Sequence, residues 1–375
     1  MLKNKQAIGL VIAIVVIVVV IKFINMGKAM PLANAPIVEV GSNPQARDLA
    51  TKAFIYEKAK EITTPDGFVN TDGKPVKIED YLGKKVVLLD IWTYSCINCI
   101  RTLPYLNEWY KKYEDKGFVI IGLHTPEFEF EKDIENVKAA VEKFGIKFPV
   151  VLDNDYSTWQ AYRNLYWPRK YLIDIDGFIR YDHIGEGGYE ETEKKIQELL
   201  KERAAALGEQ IDIEVPVMKA DGSSVSSGQS PETYFGSARN ELLANGERGR
   251  AGEQTFVVPK DIAPSKLYLG GTWSIDPEYA ESKASGSAIV YRFKSKKVFL
   301  VMSSDIPQDV EVLVDGKLLG DEKGKDVKVV DGKSFVSVSD STIYEIYSGS
   351  TFGEHTIEFK AGAKGLKAFA FTFGN

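Results

Sequence analysis

The sequence predicts an α/β layered domain over residues 51–208 and an all-β sandwich over 231–375, both behind one N-terminal apolar segment. Three observations carry this reading. From about 51 to 205, continuous apolar runs alternate with amphipathic stretches, the pattern of an α/β layer fold. Beyond 288, short runs of alternating hydrophobicity are separated by Gly, Asp and Ser turns, the pattern of a sandwich. Between the two, Lys219-Ala220-Asp221-Gly222-Ser223-Ser224, continuing through Gly228 to Pro231, has the composition of a flexible linker, which we set at 209–230.

Composition narrows the function classes. At roughly 150 residues per domain, 375 residues accommodate two domains plus extras. With 44% apolar and 27% charged residues, a packed core forms and wholesale disorder is excluded. A net charge of −6 without long blocks of like charge makes nucleic acid an unsuitable partner. Two cysteines exclude a disulfide-stapled mini-fold and a multi-cysteine zinc module, and three histidines argue against a polyhistidine metal site. Neither metal nor cofactor is expected.

Ala7 to Ile21 is a run of 15 apolar residues, preceded by Lys3 and Lys5 and followed by Lys22. It spans about 22 Å as a helix, short of the ~30 Å hydrocarbon core. If Lys22 snorkels, the segment extends to Ile24 or Met26 and suffices. We therefore read 1–26 as a transmembrane signal-anchor and 27–50 as a tether. The rival is a cleaved signal peptide: Ala33-Asn34-Ala35 fits the small-x-small rule, but lies well past the run and leaves Pro36 at the first mature position. Both readings export the remainder, to face the periplasm or the cell exterior from the cytoplasmic membrane.

Within the α/β half, Lys85 to Trp92 reads as a strand buried on both faces, 97–115 as a helix, and Phe118 to Leu123 as a second buried strand. Ile134 to Phe144 is an amphipathic helix and Val150 to Leu152 a short strand. Lys170 to Ile175, Asp176-Gly177 and Phe178 to Ile184 make a hairpin, and Tyr189 to Ala206 a charged helix. In the β half, strands are expected at Ala288–Phe293, Lys297–Met302, Asp309–Val314, Ser334–Val338, Thr342–Tyr347, His355–Phe359 and Lys367–Phe373.

The chemistry centres on Cys96-Ile97-Asn98-Cys99, at a strand-to-helix junction. A structural disulfide there would close a very short loop and contribute only about 2 kcal/mol. Zinc would need two more ligands, and His124, His183 and His355 stand at no ligand-like spacing. A redox-active dithiol is the favoured reading. A cysteine at a helix N-terminus meets the positive end of the helix dipole and free backbone N–H groups, which stabilise its thiolate. Cys96 is then the attacking thiol and Cys99, one turn further in, the resolving one. Ile97 and Asn98 add no charge between them.

The segment Leu89-Asp90-Ile91-Trp92-Thr93-Tyr94-Ser95-Cys96-Ile97-Asn98-Cys99 resembles the active-site segment of the thioredoxin superfamily. The resemblance implies that Asp90 is the buried acid that moves protons to and from the resolving thiol, and that Trp92 packs beside the dithiol. It also implies that Tyr166-Trp167-Pro168 is the cis-proline loop, whose backbone at Trp167 pairs with an extended substrate segment. An extra helix and strand between Cys99 and Pro168, and the string His124-Thr125-Pro126-Glu127-Phe128, are similar to the exported TlpA-like and DipZ-like branch. Ser230-Pro231-Glu232-Thr233-Tyr234-Phe235-Gly236, Leu269-Gly270-Gly271-Thr272-Trp273 and Ala370-Phe371-Thr372-Phe373-Gly374 resemble the sandwich that follows thioredoxin in that branch, a domain similar in fold to carbohydrate-binding modules.

What the resemblance implies is a membrane-anchored thiol–disulfide oxidoreductase that reduces disulfides of exported proteins, with a separate CcdA- or DsbD-type membrane protein as electron donor. An oxidase is the rival direction. A surface protein whose sandwich recruits a glycan or a partner is the rival class, glycan being the weaker option. The substrate cleft is assigned to Trp92, Ile97, Asn98, His124, Trp167 and Pro168, although a satisfied surface or core histidine is the stronger reading of His124. Two departures stand out. Ser95 occupies the place of the thioredoxin tryptophan, and no lysine is found beside the acid, since Gly122 or Leu123 falls there. Thr93-x-x-Cys96 matches part of a peroxiredoxin pattern, but Leu89 stands where proline belongs. Asp174-Ile175-Asp176-Gly177 reads as a hairpin turn rather than a calcium loop. Tyr234, Tyr268, Trp273 and Tyr279 serve packing or domain docking rather than a sugar platform; Tyr234, Phe235 and Trp273 in particular are expected to dock the sandwich on the α/β domain.

Overall fold

A computed structural model describes residues 49–213 and 228–374. The expected anchor at 1–26, the tether up to residue 48 and the linker core at 214–227 lie outside the described residues. Among the described residues, no helix is long and apolar enough to cross a membrane.

The first part of the chain builds a six-stranded sheet between two layers of helix and loop. Its elements run α1 (Leu49–Ile55), β1 (Gly67–Val69), β2 (Val86–Trp92), α2 (Ile97–Tyr113), β3 (Phe118–His124), α3 (Ile134–Lys143), β4 (Val150–Leu152), α4 (Ser157–Ala161), β5 (Arg169–Ile173), β6 (Ile179–Ile184) and α5 (Tyr189–Leu207). The strand order is β1-β4-β3-β2-β5-β6. β2 pairs parallel with β3 and antiparallel with β5, so it is central. Every residue of β2 and β3 is buried. The alternation of side chains explains this: Val86, Leu88 and Trp92 enter the core on one face, and Val87, Leu89 and Ile91 enter the core on the other.

Local chemistry sets the helix ends. The Asp133 side chain accepts the Glu135 N–H and starts α3. α5 opens with Glu190 and Glu191 and ends at Gly208, whose φ of 70° allows its N–H to close on the last carbonyls. In the turn before β6, Lys52 of α1 reaches Asp174 (2.8 Å) and Asp176 (2.7 Å), and Arg180 reaches Asp174 (3.1 Å). The acidic turn is thus an ion-paired hairpin that also ties α1 to the domain.

The second part is a β-rich domain: β7 (Thr233–Tyr234), β8 (Gly252–Phe256), β9 (Leu267–Ile275), β10 (Ala280–Ser282), β11 (Ala288–Ser304), β12 (Gln308–Val314), β13 (Val327–Val330), β14 (Lys333–Val338), β15 (Thr342–Lys360) and β16 (Leu366–Gly374). Its ten strands are hydrogen-bonded in the order β13-β14-β12-β15-β11-β16-β10-β9-β8, with β7 on β16 and a second junction of β9 with β11. The two runs expected at 288–293 and 297–302 are one strand. β11 pairs with β9 over Ala288–Tyr291 and with β16 over Lys297–Ser304, and its register shifts between Ser295 and Lys297. That bulge interrupts the hydrophobic alternation, which is why the sequence shows two strands. β15 likewise merges the runs at 342–347 and 355–359.

The two domains are docked. Ile97, Phe128, Phe299, Val301, Ile343 and Phe369 form one buried cluster drawn from both. Phe369 meets Phe128 and Phe130 edge-on, at 5.1 and 4.9 Å between ring centroids. Polar links flank it: Tyr234 donates to Glu127 (2.9 Å), Arg239 pairs with Glu127 (2.7 Å), and Glu129 N–H donates to Glu278 (2.9 Å). The expected docking aromatics need correction. Tyr234 serves, but Phe235 and Trp273 lie in the interior of the β-rich domain, and Phe299 and Phe369 do the docking instead. Phe299 and Phe369 sit on strands whose two faces are both covered, so alternation did not reveal which face met a second domain.

Candidate active site

The dithiol sits where the central strand hands over to α2, outside the carboxyl end of a parallel pair. Cys96 has extended backbone angles (φ −79°, ψ 113°) and caps α2; its sulfur accepts the Cys99 N–H at 3.3 Å. Both cysteines are free thiols, Cys96 partly exposed and Cys99 buried. Burial, with the neighbouring Cys96 sulfur, pushes the Cys99 thiol well above the ordinary range. The pair is therefore asymmetric: one sulfur meets solvent, the other lies beneath it.

Asp90 lies on β2, 1% exposed, and desolvation raises its carboxyl from 3.8 to about 6. Its Oδ1 has no hydrogen-bond partner among the described residues. Directly across from it on β5 is Lys170, also 1% exposed, whose ammonium donates to the Gly185 carbonyl at 3.1 Å. Burial lowers the Lys170 pKa, and the charge of Asp90 opposes that shift. This is the lysine that the sequence reading does not find. It comes from the antiparallel neighbour, whereas the parallel neighbour offers Gly122. A Cβ at 122 would lie 3.0 Å from both the Trp92 and Phe148 rings, so any larger residue there would have to push those rings aside. Lys170 follows Arg169 at the start of the strand, two residues after Pro168, and a basic pair gives no sign of which cation turns inward.

Three residues assigned to the substrate cleft are buried instead. Trp92 is wholly buried, so it supports the dithiol from the core and does not face a substrate. His124 is also wholly buried; it stacks on Tyr94 at 5.6 Å, lies edge-on to Trp92 at 5.4 Å, and shares a 3.3 Å hydrogen bond with Thr93. Desolvation lowers its pKa to about 3, so it is a neutral core residue and not part of an open cleft. Ile97 turns into the interdomain cluster, while Asn98 stays partly exposed and its carbonyl accepts from Thr102 (2.9 Å). The Trp167–Pro168 peptide is cis. The Trp167 ring lies tilted against Trp159 at 4.2 Å between centroids and donates to the Thr125 carbonyl at 3.0 Å, and it packs on the same core cluster as Cys96.

A second residue, besides Lys170, escaped sequence reasoning. Glu131 is completely buried; one carboxylate oxygen accepts Ser95 N–H (3.2 Å) and Ser95 Oγ–H (2.6 Å), and the other accepts the backbone N–H groups of Glu127 and Phe128. Desolvation raises its pKa to about 7 against these hydrogen bonds. It fixes the residue immediately before Cys96. The stretch Glu127-Phe128-Glu129-Phe130-Glu131 alternates acid and aromatic, which reads as a half-exposed strand and hides an inward carboxylate.

A CxxC pair at the N-terminus of a helix, following the central strand of this sheet and accompanied by a cis-proline loop, defines the thioredoxin-like class. Comparison with known proteins agrees. Residues 55–182 match the AhpC/TSA family and residues 230–374 match the thioredoxin like C-terminal domain. The thiol-disulfide oxidoreductase ResA of Bacillus thuringiensis is 35% identical over 151 residues, 40% of this chain and 82% of ResA. Protein DipZ of Mycobacterium bovis is 35% identical over 321 residues, 83% of this chain; the match spans 43% of DipZ's own length. A thiol-disulfide isomerase structure from Corynebacterium glutamicum is 25% identical over 38% of this chain and 96% of its own, with a TM-score of 0.34. The chain belongs to the thioredoxin-like thiol-disulfide oxidoreductases.

Proposed function

We propose that this chain reduces disulfide bonds of exported proteins through Cys96 and Cys99, held at the cytoplasmic membrane by residues 1–26 and facing outward. The observation that carries the reading is the asymmetry of the dithiol: an accessible Cys96 capping α2, and a buried Cys99 whose thiol is pushed upward, near an acid with one oxygen that has no hydrogen-bond partner among the described residues. In the forward reaction the Cys96 thiolate attacks one sulfur of the substrate disulfide. A Cys96–substrate disulfide forms and the other substrate sulfur leaves as a thiolate. Cys99, losing its proton to Asp90, then attacks the Cys96 sulfur and expels the second substrate thiolate. Two electrons pass from the dithiol to the substrate, and a CcdA- or DsbD-type membrane protein restores them.

In this reading 27–50 is the tether, 51–208 the redox domain, 209–230 the linker, and 231–375 a β-sandwich that borders the site. Trp167 and Pro168 hold the extended substrate backbone. Lys170 is a positioning residue that biases the charge on Asp90. The test is insulin reduction by the full chain and by Cys96→Ser, together with the reduction potential. Turnover that requires Cys96 and a potential near or below that of a reducing thioredoxin, about −270 mV, supports the reductase. A potential near that of strong oxidants, about −120 mV, would reverse the direction to disulfide formation.

A further inference from the structure

The seam between the domains carries a groove. A cavity of about 200 Å³ opens beside Ile97 and Ile100 at the start of α2, bounded across the seam by Phe299 and Ile343. A second cavity, of about 300 Å³, lies next to it, along α3 and bounded by Tyr94 and the 339–342 loop. Lys143 and Phe144 line both, so the two are neighbours along the seam, together of the size that holds a short peptide segment. Its floor near the dithiol is apolar.

The charge along its dithiol end is one-sided. Arg101, Lys143, Lys297 and Lys325 line that cavity against a single carboxylate, Glu345. Glu345 is already paired with Lys297 at 3.1 Å, and Arg101 is paired with Glu186 at 3.4 Å. Lys143 and Lys325 are exposed and form no ion pair with any described residue. The whole chain carries −6, so a cationic pocket against Ile97, the residue after Cys96, runs against its average. Both domains are needed to make it: α2 and α3 supply one wall and the β-rich domain the other.

We propose that this groove is a specificity site that holds the segment of the substrate polypeptide next to its disulfide, selecting an aliphatic or aromatic side chain followed by one or two carboxylates. The proposal rests on the reductase reading, since it places that segment where Cys96 can reach the neighbouring sulfur. The apolar residue settles on Ile97, Ile100 and Phe299, and the carboxylates meet Lys143 and Lys325.

The test uses the fully reduced full chain in single turnover. Two disulfide-bonded peptides are compared, one flanked by Ile-Asp-Glu and one by Ile-Lys-Lys, with hydroxyethyl disulfide as a neutral small substrate. The acidic peptide should half-saturate at a concentration about tenfold lower, with similar limiting rates. The double variant Lys143→Glu, Lys325→Glu should abolish or invert that preference and leave hydroxyethyl disulfide reduction unchanged. Reduction of all three substrates without a charge preference, or a preference that survives the double variant, overturns the groove and leaves the reductase standing. Failure to reduce even hydroxyethyl disulfide overturns the reductase reading and the groove's role with it.

Discussion

Two buried carboxylates flank the dithiol, and their surroundings are opposite. Asp90, on the central strand, has an oxygen with no partner among the described residues and a lysine across the strand that bonds elsewhere. Glu131, in the inserted loop, has both oxygens filled by four donors. Burial raises both, to about 6 and about 7. A buried acid with an unpartnered oxygen is free to exchange a proton, whereas one with four donors is held and in turn holds the backbone around it. The contrast separates a proton carrier from a strut, although composition and burial make them look alike.

The largest expected effect sets the baseline for that comparison. Cys96→Ser should reduce turnover to background in an insulin assay, while Cys99→Ser should instead trap a covalent substrate adduct visible on a non-reducing gel. An adduct on Cys99 in the Cys96→Ser variant would reverse the order of attack.

Glu131→Ala tests the strut. It leaves buried donors on Ser95, Glu127 and Phe128 unmatched, and an unsatisfied buried group costs about 1–3 kcal/mol. We expect a loss of about 3 kcal/mol in urea unfolding. An unchanged midpoint would show that the loop holds Ser95 without it.

Asp90→Asn should do the reverse to stability and damage the chemistry. The folded-state pKa of Asp90 lies above its unfolded value of 3.8, so the folded state favours the protonated acid. Its contribution is most favourable below 3.8, falls as pH rises to about 6 and stays low above that. Asparagine removes the penalty, so the variant should gain up to about 3 kcal/mol at pH 7.5, shrinking toward zero near pH 4. Resolution of the mixed disulfide should slow about 10²-fold in stopped-flow single turnover, with the initial attack little changed. Equal rates for both steps would make Asp90 structural.

The smallest effect lies one link outward. Tyr234 donates to Glu127, whose backbone N–H reaches Glu131. Tyr234→Phe should cost about 1 kcal/mol and raise hydrogen exchange in the 125–132 loop. Exchange confined to the β-rich domain would show that the two links are independent.

The central strands and the dithiol helix were legible in the sequence because their signal is local. A fully apolar run such as Val86 to Leu89 has no place but between two covered faces. Cys96 and Cys99 announce themselves by their spacing at a strand–helix junction, and Asp90 by its isolation among apolar neighbours. The long strands β11 and β15 were read as four, since a bulge breaks the period that pattern reading relies on.

What only the tertiary structure decided is how distant segments meet. Lys170 stands 80 residues from Asp90, and strand order makes it the cross-strand neighbour on one side while Gly122 is the neighbour on the other. Glu131 turns inward because donors from Ser95 and its own loop converge on it, a compensation that no periodicity records. Phe299 and Phe369 found their place at the seam through the docking of one domain on the other. Residue type and spacing fix chemistry along the chain. Register, strand order and domain docking fix which groups share a low-dielectric space, and it is that sharing that sets their charge.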